Sequence, residues 1–227
     1  MLKLVCVLVC LVNADSGAVN GVADTPFVQE YRELYPINKD SAAADVRAVA
    51  VDSIGAVWAA TNADLYRLAP GATEWDALLP EHAAGPVFDV TADPESGIWA
   101  GAWNGVWHTG ERGLVQETAI AEPIAAVCTG HGRVAAAGPK GLWMRENGVW
   151  TRQDLPCARS VRAMLLDAEN ALWIATGMGL YRHADAGGRL YQLEKDLLSA
   201  DLCALATAPD GVLWVAGLGG ITQYQDG

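Results

Sequence analysis

The stretch Ala171 to Arg182, ALWIATGMGLYR, is one of five versions of the same segment in this chain. The others are AVWAATNADLYR at 56 to 67, GIWAGAWNGVWH at 97 to 108, RVAAAGPKGLWM at 133 to 144 and VLWVAGLGGITQ at 212 to 223. Each is a short apolar run, a turn and a second apolar or aromatic run, the pattern of a β-hairpin. Repetition of this kind announces an architecture before it announces a function.

Outward from the hairpin, an apolar strand precedes each copy, beginning at Val46, Val87, Ile124, Val161 or Leu202. The tryptophan follows twelve residues later in four copies, at Trp58, Trp99, Trp173 and Trp214, while the third copy is one residue shorter and carries Ala135. Eight residues beyond that position stands Tyr66, Trp107, Trp143, Tyr181 or Thr222. Successive copies of the tryptophan position lie 41, 36, 38 and 41 residues apart, a period that belongs to solenoids and propellers.

Turn chemistry divides each copy into strands. Asp52 to Gly55 and Asp167 to Asn170 have tight-turn composition. The turn after the tryptophan strand has Gly105, Gly141, Gly179 or Gly220 at one fixed position, where positive φ is expected, with Asp64 in the first copy. Asn147-Gly148 is the clearest signal for a further hairpin. Both faces of these strands are apolar, so each sheet needs a neighbour on either side, and radial stacking supplies it.

The expected fold is therefore all-β, a β-propeller of four-stranded antiparallel blades near 45–84, 85–122, 123–159, 160–200 and 201–227. The last copy supplies three strands, and Phe27 to Leu34 (FVQEYREL) has the character of the missing one. Five blades closed by that N-terminal strand is the expected count, and a piece of a longer propeller is the alternative.

The four tryptophans are expected to fill the spaces between blades. Ala135 is expected to leave a gap that Trp143 or Trp150 fills.

Composition narrows the function. The chain has 227 residues, 52% of them hydrophobic, enough for a substantial core, and a formal charge of -12 argues against nucleic acid or anionic lipid as partners. Residues 1–18 read as a secretory signal: Lys3 gives the positive start, Leu4 to Val12 the apolar core, and Ala14, Ser16, Gly17 and Ala18 the small residues. The expectation is a periplasmic or secreted protein with a linker at 19–26 and no transmembrane segment beyond the signal. Cys128, Cys157 and Cys203 remain after the signal, without metal or redox spacing.

The pattern at Val46 to Arg67 and Val161 to Arg182, V-R-A-(x)3-D-(x)4-(L/V)-W-(I/A)-A-T-(x)3-L-Y-R, resembles the two-component regulator propeller repeat. That resemblance covers about 45–227. It implies the periplasmic sensor region of a bacterial hybrid histidine kinase or related protein, binding a small molecule, a glycan or a protein partner. Tectonin-like lectin propellers are a weaker resemblance.

No catalytic signature accompanies the repeats. His82, His108, His131 and His183 show no short metal spacing, and the acids Asp52, Asp93, Asp167 and Asp210 stand singly in turns. No metal site, cofactor or catalytic residue is expected, and the leading reading is a non-catalytic binding or sensor propeller. A propeller enzyme acting on polysaccharide, a glycosidase or lyase, or a sugar-binding lectin is the alternative.

The candidate ligand-binding residues are those that vary at the tips of the tryptophan hairpins: Asn62, Trp103, Asn104, Lys140, Met178 and Leu218. Trp103 stands four residues beyond the core tryptophan, where an aromatic is suited to stacking on a sugar or an apolar partner, and folding back over the gap at Ala135 is its other reading. Arg47, Asp89 and Arg162, near the starts of first strands, could add polar contacts at the mouth of the channel. Asp89 is singular because the corresponding positions are Ala48, Ala126, Ala163 and Ala204.

Overall fold

The structure, a computed structural model, describes residues 33–37, 45–95, 97–111, 113–155, 160–184, 187–191 and 201–224. The hairpins of the repeat form as antiparallel pairs, and further strands extend them into sheets. Blade one comprises β1 (Val46–Val51), β2 (Val57–Thr61), β3 (Leu65–Leu68) and β4 (Asp76–Ala77); blade two comprises β5 (Val87–Asp93), β6 (Gly97–Ala102), β7 (Gly105–Gly110) and β8 (Gly113–Gln116). Blade three holds β9 (Ala126–Gly130), β10 (Arg133–Gly138), β11 (Gly141–Glu146) and β12 (Val149–Gln153). Blade four holds β13 (Val161–Leu166), β14 (Leu172–Thr176), β15 (Gly179–Ala184) and β16 (Gly187–Tyr191). Blade five shows β17 (Leu202–Thr207), β18 (Leu213–Gly217) and β19 (Gly220–Tyr224).

The first strand of each blade is the inner one. β1 packs on β5, β5 on β9, β9 on β13 and β13 on β17, so the sheets succeed one another around an axis as a five-bladed β-propeller. The expected signal at 1–18, the linker at 19–26 and all of the closing strand except Glu33 and Leu34 lie outside the described residues. Of the segment that follows, Tyr35 offers its carbonyl to the Trp75 indole of blade one at 3.1 Å.

The tryptophan register is the organising contact. Trp58 packs with Val87, Val90 and Ile98 of blade two, Trp99 with Val127 and Val134 of blade three, and Trp173 with Leu202, Leu213 and Val215 of blade five. These three side chains are 2 to 4% exposed, and burying each large ring is what holds successive blades together.

Two expectations need correction. Trp214 has the right register, paired with Gln223, yet is 41% exposed, and Ile221 beside it is 62% exposed where Leu65, Val106, Leu142 and Leu180 are buried. Strand alternation turns Trp214 away from the Leu213 and Val215 face that meets blade four. Among the described residues no further sheet covers it. Ala135 is not a gap filled by Trp143 or Trp150: its register partner Met144, with Leu155, Met164, Leu172 and Ile174, fills the space. Trp143 and Trp150 pack on the other face, in the cluster around Trp99.

The hairpin glycines have the expected backbone. Gly105, Gly141, Gly179 and Gly220 have φ of 133°, 139°, 133° and 147°. At Gly141 and Gly179 a Cβ would lie 2.5 Å from the carbonyl oxygens of Gln153 and Tyr191 in the fourth strands, so only glycine permits that approach. Asp64 avoids positive φ and instead accepts the amides of Leu65 and Leu79 at 2.7 and 3.0 Å, which ties the start of β3 to the segment that follows β4.

Candidate ligand-binding rim

In a four-stranded antiparallel blade, the turn between second and third strands lies at the end of the ring where the chain enters the first strand. Main-chain hydrogen bonds lock these two segments together. Asn62 donates to Asp45 O at 3.3 Å, Trp103 to Pro86 O at 2.9 Å, Gly177 to Ser160 O at 3.0 Å and Leu218 to Asp201 O at 3.1 Å. In blade three the tip is held by a side chain, since Lys140 N donates to Glu122 Oε2 at 3.0 Å. The hairpin tips are thereby fixed in a rim at one end of the propeller.

Trp103 is 42% exposed on this rim. Its indole N–H donates to Ala83 O at 3.3 Å and its ring lies over Gly85, where a Cβ would come within 2.4 Å of Nε1. The ring therefore rests on the connection entering its own blade. It does not fold back over Ala135, which is occupied by other side chains. A half-exposed indole with its polar edge satisfied is preorganised to present an apolar face.

The remaining candidates divide by what holds them. Met178 and Leu218 are exposed tip residues with only their backbones tied, and the Lys140 side chain is exposed. Asn104 serves the framework, since its Oδ1 accepts the Trp107 indole at 3.0 Å and its carbonyl accepts Gln116 Nε2 at 2.9 Å. Asn62 is half-buried at the first tip. Arg47 pairs with Asp45 at 3.8 Å and lies 5.2 Å over the Phe88 ring, while Arg162 pairs with Asp201 at 3.6 Å across the boundary of blades four and five.

Asp89 is framework as well. Its carboxylate accepts the amides of Val90 at 3.0 Å and Val127 at 2.9 Å, bridging the inner strands of blades two and three. Burial raises its pKa to about 7, against the opposing pull of those two hydrogen bonds. Asp45, Asp201 and Glu122 are polar groups of this end that pattern reading missed. The two aspartates immediately precede a first strand, a recurrent position that could have drawn attention. Glu122, which also accepts the Trp143 indole at 2.8 Å, carries no such signal.

Among the described residues no group of three or more His, Cys, Asp or Glu side chains could hold a metal ion, and no helix is long and apolar enough to cross a membrane. The rim offers an aromatic face, apolar tips and paired charges, which suit stacking and hydrogen bonding.

No family model and no curated protein matches the chain. Solved structures do. The extracellular domain of the hybrid two-component system BT4673 from B. thetaiotaomicron superposes with a TM-score of 0.68 at 15% identity, over 81% of this chain and 27% of that one. The corresponding domain of BT3049 from the same organism gives 0.65 at 17% identity, over 83% and 29%. A streptogramin B lyase structure gives 0.63 at 16% identity, over 83% and 71%. The chain thus spans little more than a quarter of the two extracellular domains, and what it shares with them is the propeller fold.

Proposed function

We propose that this chain is a non-catalytic, exported binding or sensor propeller whose rim of hairpin tips receives a small molecule, a glycan or a peptide segment of a partner. Trp103 carries the reading, since an indole held flat by Ala83 and Gly85 with 42% of its surface exposed is built to be covered. Asn62, Lys140, Met178 and Leu218 are the variable tips of the other blades on the same rim, with Asn104 setting the Trp107 edge and Arg47 and Arg162 contributing charge at the mouth.

Similarity in fold to extracellular domains of two-component systems supports a sensing role outside the cytoplasm. The non-catalytic reading is supported by how the rim acids are engaged. Asp45 and Asp201 are ion-paired, Glu122 accepts an indole and an amide, and Asp89 accepts two amides. A lyase shares the fold, so an enzyme remains the second reading, acting on a polysaccharide at the same rim. Screening oligosaccharides and peptides by intrinsic fluorescence and repeating each hit with Trp103→Ala tests the proposal. Loss of binding at unchanged melting temperature is expected, and undiminished affinity overturns the rim assignment.

A further inference from the structure

The repeats provide internal controls for the seams built on a buried tryptophan, and the seam between blades one and two differs from those between blades two and three and between blades four and five. Ten residues beyond the core tryptophan position lies the third-strand residue that can cover the tryptophan of the preceding blade: Thr109 in blade two, Arg145 in blade three and Tyr224 in blade five, while His183 in blade four follows a blade whose core position is Ala135. In the seam between blades two and three, the Arg145 guanidinium sits 5.1 Å over Trp99 and pairs with Glu117 at 3.6 Å, and Trp150 packs edge-on at 6.0 Å. In the seam between blades four and five, Trp173 is covered by Tyr224 at 5.2 Å and Tyr191 at 5.7 Å, and Arg182, 5.3 Å over the ring, pairs with Glu169 at 3.3 Å.

Between blades one and two the same places hold small groups. Thr109 stands where Arg145 and Tyr224 stand, and Leu114, the register partner of Thr109, stands where Trp150 partners Arg145. The result is a groove of about 620 Å3 lined by Ile54, Arg67, Leu78, Thr109 and Leu114 over the edge of Trp58, within the range of small-molecule sites. Arg67 lies 5.6 Å over the Trp58 ring. Unlike Arg145 and Arg182, it has no ion pair among the described residues, although Asp76 is its register neighbour and Asp52 lines the same groove. The Asp52 oxygens are engaged, Oδ2 by the Trp58 indole at 2.8 Å and Oδ1 by the amides of Ile54 and Ala56 at 3.2 and 2.8 Å.

We propose that this groove is a second binding site, for a small amphipathic carboxylate whose head pairs with Arg67 and whose apolar body lies against Ile54, Leu78 and Leu114. It involves the turns after β1 and β7, at the end of the propeller opposite the rim, and does not depend on the rim's binding anything. A guanidinium is a planar fork of N–H donors that matches a carboxylate, and its place over an indole limits the orientations it must give up on binding. The excess negative charge of the chain works against anions in general, so recognition depends on the apolar walls together with this local cation.

The test is calorimetric titration of the full chain with phenylacetate and hexanoate, with 2-phenylethanol as the neutral counterpart. Saturable binding of at least one acid with Kd below ~10 mM is expected, and at least ~10-fold weaker binding of the alcohol. Arg67→Gln should weaken acid binding at least ~10-fold. Leu114→Trp, which installs the side chain that fills the equivalent seam, should abolish it without lowering the melting temperature. The rim variant Trp103→Ala should bind as the parent does. No saturable binding of either acid, equal binding of acid and alcohol, indifference to Arg67→Gln, or loss of binding in Trp103→Ala would each overturn the assignment.

Discussion

Asp167 accepts the indole N–H of Trp173 through Oδ2 at 2.7 Å, while its Oδ1 accepts the amides of Glu169 and Ala171 at 3.0 and 2.8 Å. The same six-residue relation joins Asp52 to Trp58 at 2.8 Å and Asp93 to Trp99 at 3.3 Å. A turn aspartate of the repeat thus closes its own turn and satisfies the buried edge of the tryptophan that binds the next blade. Asp167→Ala leaves these donors unpaired and is expected to cost about 1–3 kcal/mol. Asp210→Ala removes a longer hydrogen bond, 3.2 Å from Val212 N, and should cost under about 1 kcal/mol. Urea unfolding of the two variants checks the contrast, and equal losses would contradict it.

The tryptophans are equivalent in register and unequal in burial. Trp58→Ala, Trp99→Ala and Trp173→Ala are each expected to cost about 3–5 kcal/mol, the usual penalty for emptying a large buried position. Trp214→Ala should cost less, under about 2 kcal/mol, because 41% of its surface is already exposed. The measurement also reports on the face beyond blade five: a Trp214 penalty as large as the others would mean that this face is covered in solution.

How much of this was legible in the sequence depends on the kind of contact. The hairpin around Ala171 to Arg182 repeats with constant spacing, so strand order, the glycine backbone and the tryptophan register follow from local pattern and apolar periodicity. The burial of Trp214 does not, because it depends on whether another sheet stands beside blade five. Likewise Met144 filling the space beside Ala135 is a cross-strand event with no spacing signature. At the rim, the tips could be named because they vary against a constant frame. The parts played by Asn104, Asp89 and Glu122 could not, since each is defined by a partner 3 to 38 residues away. The groove at Arg67 was missed because it is made by what is small at Thr109 and Leu114.

Gly179 tests the closeness of third and fourth strands. At φ 133°, with Tyr191 O 2.5 Å from where a Cβ would stand, alanine meets backbone on one side and strain on the other. Gly179→Ala should cost about 1–3 kcal/mol. Thermal unfolding is the measure, and a variant as stable as the parent would mean that the fourth strand of blade four yields at no cost.

Asp89 gives the fold a predicted response to pH. In the unfolded chain its carboxyl titrates near an ordinary aspartate value of about 3.9, whereas burial in the folded chain raises it to about 7. Between about pH 4 and pH 7 the folded state therefore holds a proton that the unfolded state has released. By linkage the contribution of Asp89 to stability falls as pH rises through that window, and is constant below it and above it. Asp89→Asn cannot ionise, and its side-chain carbonyl can still accept the Val127 amide that now binds Oδ2. The variant should lose less stability than the parent between pH 5 and pH 8, and should be the more stable of the two at pH 8. General repulsion from the excess negative charge acts on both proteins, so the difference between them isolates Asp89. Melting curves of both at pH 5, 6, 7 and 8 decide the matter, and parallel curves across that range would show that the carboxylate remains charged between the inner strands.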